Sequence, residues 1–192
     1  MPKTKKERSE QTINAVLEVA EKHFAEYGYA QVSTDALVQE IGLTRGALYH
    51  HFGSKQGLFE AVVERIHQKA ATAISQTATD DWEGFVSGCL AWLEVATDPT
   101  TQRILLLDAP AVIGWGRWLE LDAQYGSKLL LEGIEHLIST KVIVFPSALA
   151  LLQLLNGAMN QTALWVAQSK TPKRSKKEAR EALVYLLNRV RG

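Results

Sequence analysis

The 192-residue chain sets 21 Lys and Arg against 21 Asp and Glu, so its formal charge at pH 7 is zero, and 46% of its residues are hydrophobic. That apolar share supplies a core and excludes a disordered chain; the neutral balance excludes polyanion binding by bulk charge and makes the position of each charge matter. Cys89 is the only cysteine, so no intrachain disulfide forms, and no apolar run approaches the ~18 residues that span a bilayer.

The opening MPKTKKERSE is charged and has no apolar stretch, so it reads as a basic arm (Lys3, Lys5, Lys6 and Arg8 against Glu7) and not as a secretory leader. The expected location is the cytoplasm. Acidic residues follow at Glu10, Glu18, Glu21 and Glu26 and offset the arm. Ile13, Val16, Leu17, Ala20, Phe24 and Tyr27 keep one helical stripe for about five turns, and Gly28 suits its C-terminus. Thr34 reads as the N-cap of a short helix carrying Leu37, Val38 and Ile41, ended by Gly42. Thr44 caps a second short helix over about 45–51, and Ser54 caps a long one from Lys55, with a boundary between Thr77 and Asp81. Beyond it the pattern predicts helices over 82–96, about 99–107, from Pro110 to about 139 with loosening at Gly114 and Gly116, from Pro146 to about 168, and from about 175 to the end. SKTPKRSK (169–176) reads as a loop, and KVIVF (141–145) is too short and isolated to make a sheet.

The fold class is therefore all-α. Residues 1–54 are expected to form a three-helix, helix-turn-helix DNA-binding domain with the basic arm, and a long helix joins it to a C-terminal helical domain, 55–192. The stretch STDALVQEIGLTRGALYHHFGSK (33–55) carries this reading. A short helix, a glycine turn and a second short helix allow the second to enter a major groove by its N-terminus. Leu48 and Phe52, at i and i+4, face inward; Thr44, Arg45, Tyr49 and His50 face out. Gly46 permits close approach. Arg45 suits a bidentate contact to guanine, worth roughly 1–3 kcal/mol of discrimination. Ser33, Thr34 and Lys55, at helix N-termini, suit phosphates. His50 and His51 either contact phosphates or pack against the first helix.

These residues resemble the TetR family of regulators. The resemblance runs from the first apolar stripe through Phe24, Gly28-Tyr29, Thr34, Ile41-Gly42 and Leu48-Tyr49-His50-His51-Phe52 to Ser54-Lys55 and Leu58, about a quarter of the chain. It implies that 55–192 is a ligand-binding and dimerisation domain, with a homodimer formed by the last two long helices, a ligand cavity among the middle ones, and repression of an operator relieved by ligand. Asp35 departs from it, being acidic where a phosphate is expected.

Candidates in the C-terminal part have two readings each. Trp92, Trp115, Trp118 and Trp165 either wall a ligand pocket or pack in the core. Asp108 and Asp122 either meet a cationic ligand or cap helices. Asn156 and Asn160, at i and i+4 on an apolar surface, bond either a ligand or a partner chain. Leu152, Leu155, Met159, Leu183, Leu186, Leu187 and Val190 exceed what a monomer needs and predict a four-helix dimer seam. No Gly-rich phosphate loop, Glu-x-x-His pair or nucleophile motif supports an enzyme, and the histidines show no metal spacing, so no cofactor or metal is expected. The partners expected are double-stranded, near-palindromic operator DNA, a small-molecule effector and a second copy of the chain, with no membrane. A DNA-binding regulator without a small ligand is the alternative, a helical-bundle enzyme a weaker one, and repressor versus activator stays open.

Overall fold

The computed structural model describes residues 4–191, and the described residues are helices and connections without a strand. Four helices come first: α1 (Lys5–Gln31), α2 (Thr34–Ile41), α3 (Arg45–Phe52) and α4 (Lys55–Thr77). Helix α1 begins at a capping box, with Glu7 N–H donating to Thr4 Oγ1 at 3.2 Å and Thr4 N–H to Glu7 Oε2 at 2.7 Å. The backbone of the expected basic arm is thus helical from Lys5. Lys3 and the side chains of Lys5, Lys6 and Arg8 lie outside the described residues. Gly28, at φ 75°, breaks the helix before a last turn to Gln31.

Thr44 and Ser54 cap as expected, accepting from Ala47 N–H at 3.1 Å and Gly57 N–H at 3.0 Å. Thr34 does not. Ser33 occupies the cap position of α2 and makes no side-chain bond, while Thr34 is already helical and its hydroxyl turns inward. Phe24, Leu37, Leu48, Leu58 and Phe59 are fully buried and tie the four helices together. Phe24 and Tyr29 flank Phe59 with ring centroids 4.9 and 5.0 Å away. Each such side chain contributes roughly 1.5–3 kcal/mol by leaving water.

The second half is α5 (Trp82–Ala96), α6 (Pro99–Gln102), a π-helical segment (Arg103–Asp108), α7 (Ala109–Val112), α8 (Trp115–Gln124), α9 (Gly126–Ser139), α10 (Ala148–Gln168) and α11 (Pro172–Arg191). Four boundaries differ from the sequence reading. Pro110 does not start a helix: helical winding runs on from Pro99 through the π segment and stops at Gly114, whose φ of 84° no α-helix accommodates. A second break at Tyr125 (φ −116°, ψ −86°) splits the expected long helix into α8 and α9. Pro146 stays outside α10, where Ser147 caps by accepting Ala150 N–H at 3.2 Å, whereas Pro172 begins α11 inside the expected loop.

Helix α4 packs against both halves, on α1 and α3 on one side and on α5, α8 and α9 on the other. Helix α10 packs on α9 and α11, and α11 on α5. No helix is long and apolar enough to cross a membrane among the described residues.

Candidate nucleic-acid interface and helical-domain cavity

Helix α3 spends one side on the core, through Leu48, and leaves Thr44, Arg45, Gly46, His50 and His51 exposed on the other. A side chain added at Gly46 would meet nothing nearer than Thr44 Oγ1 at 3.9 Å. Nothing inside the chain demands glycine there, and its absence of bulk leaves the helix backbone approachable from outside. The half-buried Tyr49 has its hydroxyl 3.3 Å from Thr34 Oγ1 and accepts from Arg45 Nη2 at 3.4 Å. The Thr34 bond first, and then that from Arg45, holds the phenol below its ordinary range. Thr34, expected at a phosphate, instead lies buried and orients Tyr49.

Arg45 forms an exposed ion pair with Asp35 at 3.3 Å. Its bond to Tyr49, and then the Asp35 charge, raise the guanidinium further above its ordinary value. The acidic residue that looked misplaced therefore shares the guanidinium with the Tyr49 hydroxyl. Such an exposed pair is weak and readily exchanged for another anion or acceptor. Lys55 lies over the Tyr29 ring, 4.6 Å from its centroid, and donates to the Ala30 carbonyl at 3.3 Å; partial burial lowers its ammonium pKa. His50 and His51 meet edge to face at 5.6 Å, and no cluster with metal-binding composition occurs among the described residues.

Two sets of contacts tie this head to the second half. Arg103 donates to the carbonyls of Glu26 at 3.1 Å and Tyr27 at 3.3 Å, and Asp108 Oδ2 accepts Tyr29 N–H at 2.9 Å. Both ends of the π segment thus grip α1 where Gly28 breaks it. Gly28 is required twice, by its positive φ and because a Cβ would sit 2.2 Å from Arg103 Nη2. The second set runs along α4. Arg117 Nε donates to Glu60 at 2.6 Å, Tyr125 donates its hydroxyl to Glu64 at 2.7 Å, and Gln68 donates to that hydroxyl at 3.1 Å.

A cavity of about 300 Å³ opens among α4, α5, α8, α9 and α10. Phe85, Cys89, Trp92, Leu130, Leu137 and Met159 give it an apolar wall. Asp122 and Asn156 are its inner polar groups, and Asp80, Asp81, Glu132 and His136 stand at its exposed rim. Burial pushes the Cys89 thiol up to about 12, so it is a neutral wall atom and no nucleophile. Of the residues expected at a ligand, the cavity gathers Trp92, Asp122 and Asn156. Asp108 belongs to the grip on α1. Trp118 is buried and donates to the Leu105 carbonyl at 2.9 Å, with Trp115, 60% exposed, stacked on it at 4.9 Å. Asn160 lies one turn away and donates to Asn156 Oδ1 at 3.3 Å, and Trp165 is on the outer surface.

Residues 82–190 match the model described as the Tetracyclin repressor-like C-terminal domain, and residues 16–62 the model described as bacterial regulatory proteins of the tetR family. The chain belongs to the TetR family. A TetR-family transcriptional regulator of known crystal structure from Pectobacterium atrosepticum is 40% identical, with 98% of this chain and 97% of that one covered and a TM-score of 0.81. An HTH-type transcriptional repressor of Mycobacterium tuberculosis is 36% identical over 76 residues, 40% of this chain and 41% of its own. The nucleoid occlusion factor SlmA of Haemophilus ducreyi is 37% identical over 76 residues, 39% of this chain and 36% of its own. The chain thus matches well under half the length of these two curated relatives. Membership places this TetR-family chain among DNA-binding regulators and not among enzymes.

The apolar residues of α10 and α11 expected at a dimer seam are largely covered by their own chain. Leu152, Leu155, Met159, Leu183 and Leu187 are buried in the chain's own core, Val190 is half-buried, and only Leu186 is well exposed. The reason is that α5 and α9 already cover the strongest apolar stripe of both helices. A second, weaker apolar face remains, with Leu154, Trp165, Tyr185 and Leu186 exposed. Sequence reasoning also missed Arg103, Tyr125 and the glycines of the cavity wall, Gly88, Gly126 and Gly133. Glycines inside otherwise good helices were the available signal.

Proposed function

We propose that the chain is a ligand-responsive, homodimeric cytoplasmic repressor, with 1–54 as the DNA-reading unit and 55–192 as the effector and dimerisation unit. The observation that carries this is the bare polar face of α3, where Thr44, Arg45, Gly46, His50 and His51 are exposed around a half-buried Tyr49. Arg45 exchanges Asp35 for a guanine edge, and Ser33, Lys55 and the Tyr49 hydroxyl hold the flanking phosphates. Two copies pair through the outer faces of α10 and α11, so that two α3 helices meet half-sites roughly 34–36 Å apart on a near-palindromic operator. Effector in the cavity acts on α9 and α8 beside Tyr125, whose bond to Glu64 carries the shift into α4 and changes the spacing of the heads.

The test is selection of bound fragments from the source genome by the purified protein, followed by titration of the best fragment at two salt concentrations. A near-palindromic fragment bound with a steep salt dependence supports the reading; a dimer that enriches no fragment overturns it. The alternative is a DNA-binding regulator that answers to no small molecule. The open cavity favours the first.

A further inference from the structure

The chemistry of the cavity wall is lopsided. Its lining includes four carboxylates, Asp80, Asp81, Asp122 and Glu132, and no lysine or arginine. Three of the four are at the exposed rim, where Asp81 already caps α5 by accepting Gly84 N–H at 2.8 Å and Glu132 pairs with Lys128 at 3.9 Å. Asp122 is different. It is 3% exposed and has no ion-pair partner among the described residues. Its Oδ2 accepts from Asn156 Nδ2 at 2.9 Å and from the Ser127 hydroxyl, which are neutral donors. Its Oδ1 accepts nothing among the described residues. The base that feels its charge is His67, whose burial lowers its pKa and keeps it neutral at pH 7.

A buried carboxylate with one oxygen unpaired is costly unless a cation or a donor comes to it. Here the unpaired oxygen faces the cavity. A Cβ placed on Gly126, at the cavity wall, would lie 3.8 Å from Asp122 Oδ1 and 3.8 Å from Trp92 Nε1. The indole N–H of Trp92, itself 5% exposed, also lacks a partner among the described residues. One missing side chain therefore leaves an acceptor and a donor bare around the same small space. The wall beyond them is apolar and aromatic. Trp92 offers a ring of the kind that favours a nearby ammonium, and the acidic rim raises the local concentration of cations at the mouth.

We infer that the cavity is built for an organic cation, an amine whose ammonium sits on Asp122 Oδ1 beside Trp92 and whose apolar body lies along Phe85, Leu130, Leu137 and Met159. The indole N–H is left for an oxygen acceptor on the same molecule. This rests on reading the cavity as the effector site.

The test uses the full chain in phosphate buffer, free of competing amines, and three matched probes: phenylbutylamine, the neutral phenylbutanol and the anionic phenylbutyrate. Binding is read by calorimetry and by the melting temperature. The amine is expected to bind at least tenfold tighter than either isostere. Asp122→Asn, which retains an acceptor for Asn156 and Ser127, is expected to remove that tenfold preference while leaving phenylbutanol unaffected. Glu132→Gln, at the exposed rim where folding is not at stake, is expected to weaken the amine two- to threefold. If phenylbutanol or phenylbutyrate binds as well as the amine, or if the preference survives Asp122→Asn, the cation assignment is wrong and the effector site stands. If none of the three binds the wild-type chain, the reading of the cavity as an effector site falls with it.

Discussion

Asp108 and Tyr29, 79 positions apart in the chain, are joined by a bond of 2.9 Å from the Tyr29 backbone N–H to the Asp108 carboxylate. This is where the middle of the molecule takes hold of the reading head. A hydrogen bond to a charged acceptor contributes roughly 1.5–3 kcal/mol. Asp108→Ala is expected to lower stability by about that amount in urea denaturation. Gly28→Ala is expected to cost at least as much, since it adds a strained φ and a collision with Arg103. If both variants unfold at the wild-type urea concentration, the grip contributes nothing.

The Arg45–Asp35 pair predicts a gain of function. Asp35→Asn removes the guanidinium's ion-pair partner and an exposed negative charge from the face of the head. DNA affinity in fluorescence anisotropy is expected to rise three- to tenfold at low salt, the gain shrinking as salt screens it. Arg45→Ala is expected to weaken binding and flatten the difference between operator and scrambled sequence. Lys55→Ala is expected to weaken all sequences alike and reduce the salt slope by about one. A scrambled duplex that loses as much as the operator in Arg45→Ala would show that Arg45 meets phosphate and not base.

His67 predicts a pH dependence. It is 3% exposed, its Nε2 has no partner, and it stacks on Tyr125 at 6.2 Å. Burial is the main reason its pKa is lowered, with the opposing charges of Asp122 and Glu64 secondary. Because the folded pKa lies below the unfolded value of about 6.5, the unfolded chain binds the extra proton first. Stability is therefore retained above pH ~6.5 and lost as pH falls from there toward the folded pKa. His67→Phe keeps the stacking and removes the titration, so its denaturation midpoint is expected to change less than that of wild type between pH 7.5 and pH 5.5, roughly the window above. Parallel curves for the two proteins would rule the histidine out as the source.

The two faces of α10 and α11 predict opposite behaviours. Leu183→Ala, in the core, is expected to cost about 2–5 kcal/mol of folding stability. Tyr185→Glu, at a residue 64% exposed, is expected to leave the monomer's fold intact and shift sedimentation from dimer to monomer. A Tyr185→Glu protein that sediments as wild type would move the interface to another surface.

The head was legible in the sequence because its signals are local. Thr44, Ser54 and Gly42 each act on groups within five residues, and the stripe from Ile13 to Phe24 repeats at a period that only a helix satisfies. Long-range partners were not legible. The grip of Arg103 and Asp108 on α1 joins segments whose proximity no local pattern encodes. Trp115 and Trp118 drew attention by composition, yet what selects Trp92 for the cavity is its neighbour Gly126, 34 residues on, whose lack of a side chain leaves the indole bare. Which apolar face of α10 and α11 stays open was not legible either, because periodicity reports that a face is apolar and is silent on which neighbour covers it: Leu155 and Leu187 are covered by their own chain.

The π segment makes the winding of 103–108 an alignment device. Five residues of ordinary α-helix advance roughly 140° beyond a full turn, which would carry Asp108 around the axis from Arg103. The wide turn, bonding i to i+5, returns the two to one side, where both reach α1. Tightening the same six residues to α winding would slip the phase by about one residue, roughly 100°, and swing the carboxylate off Tyr29 without breaking the helix. Deleting the exposed Leu107 would have the reverse effect, since Arg103 and Asp108 would then stand at i and i+4 and remain together on a plain helix. The surplus residue is stored slack, and the registry between the two halves of the molecule depends on where the chain keeps it.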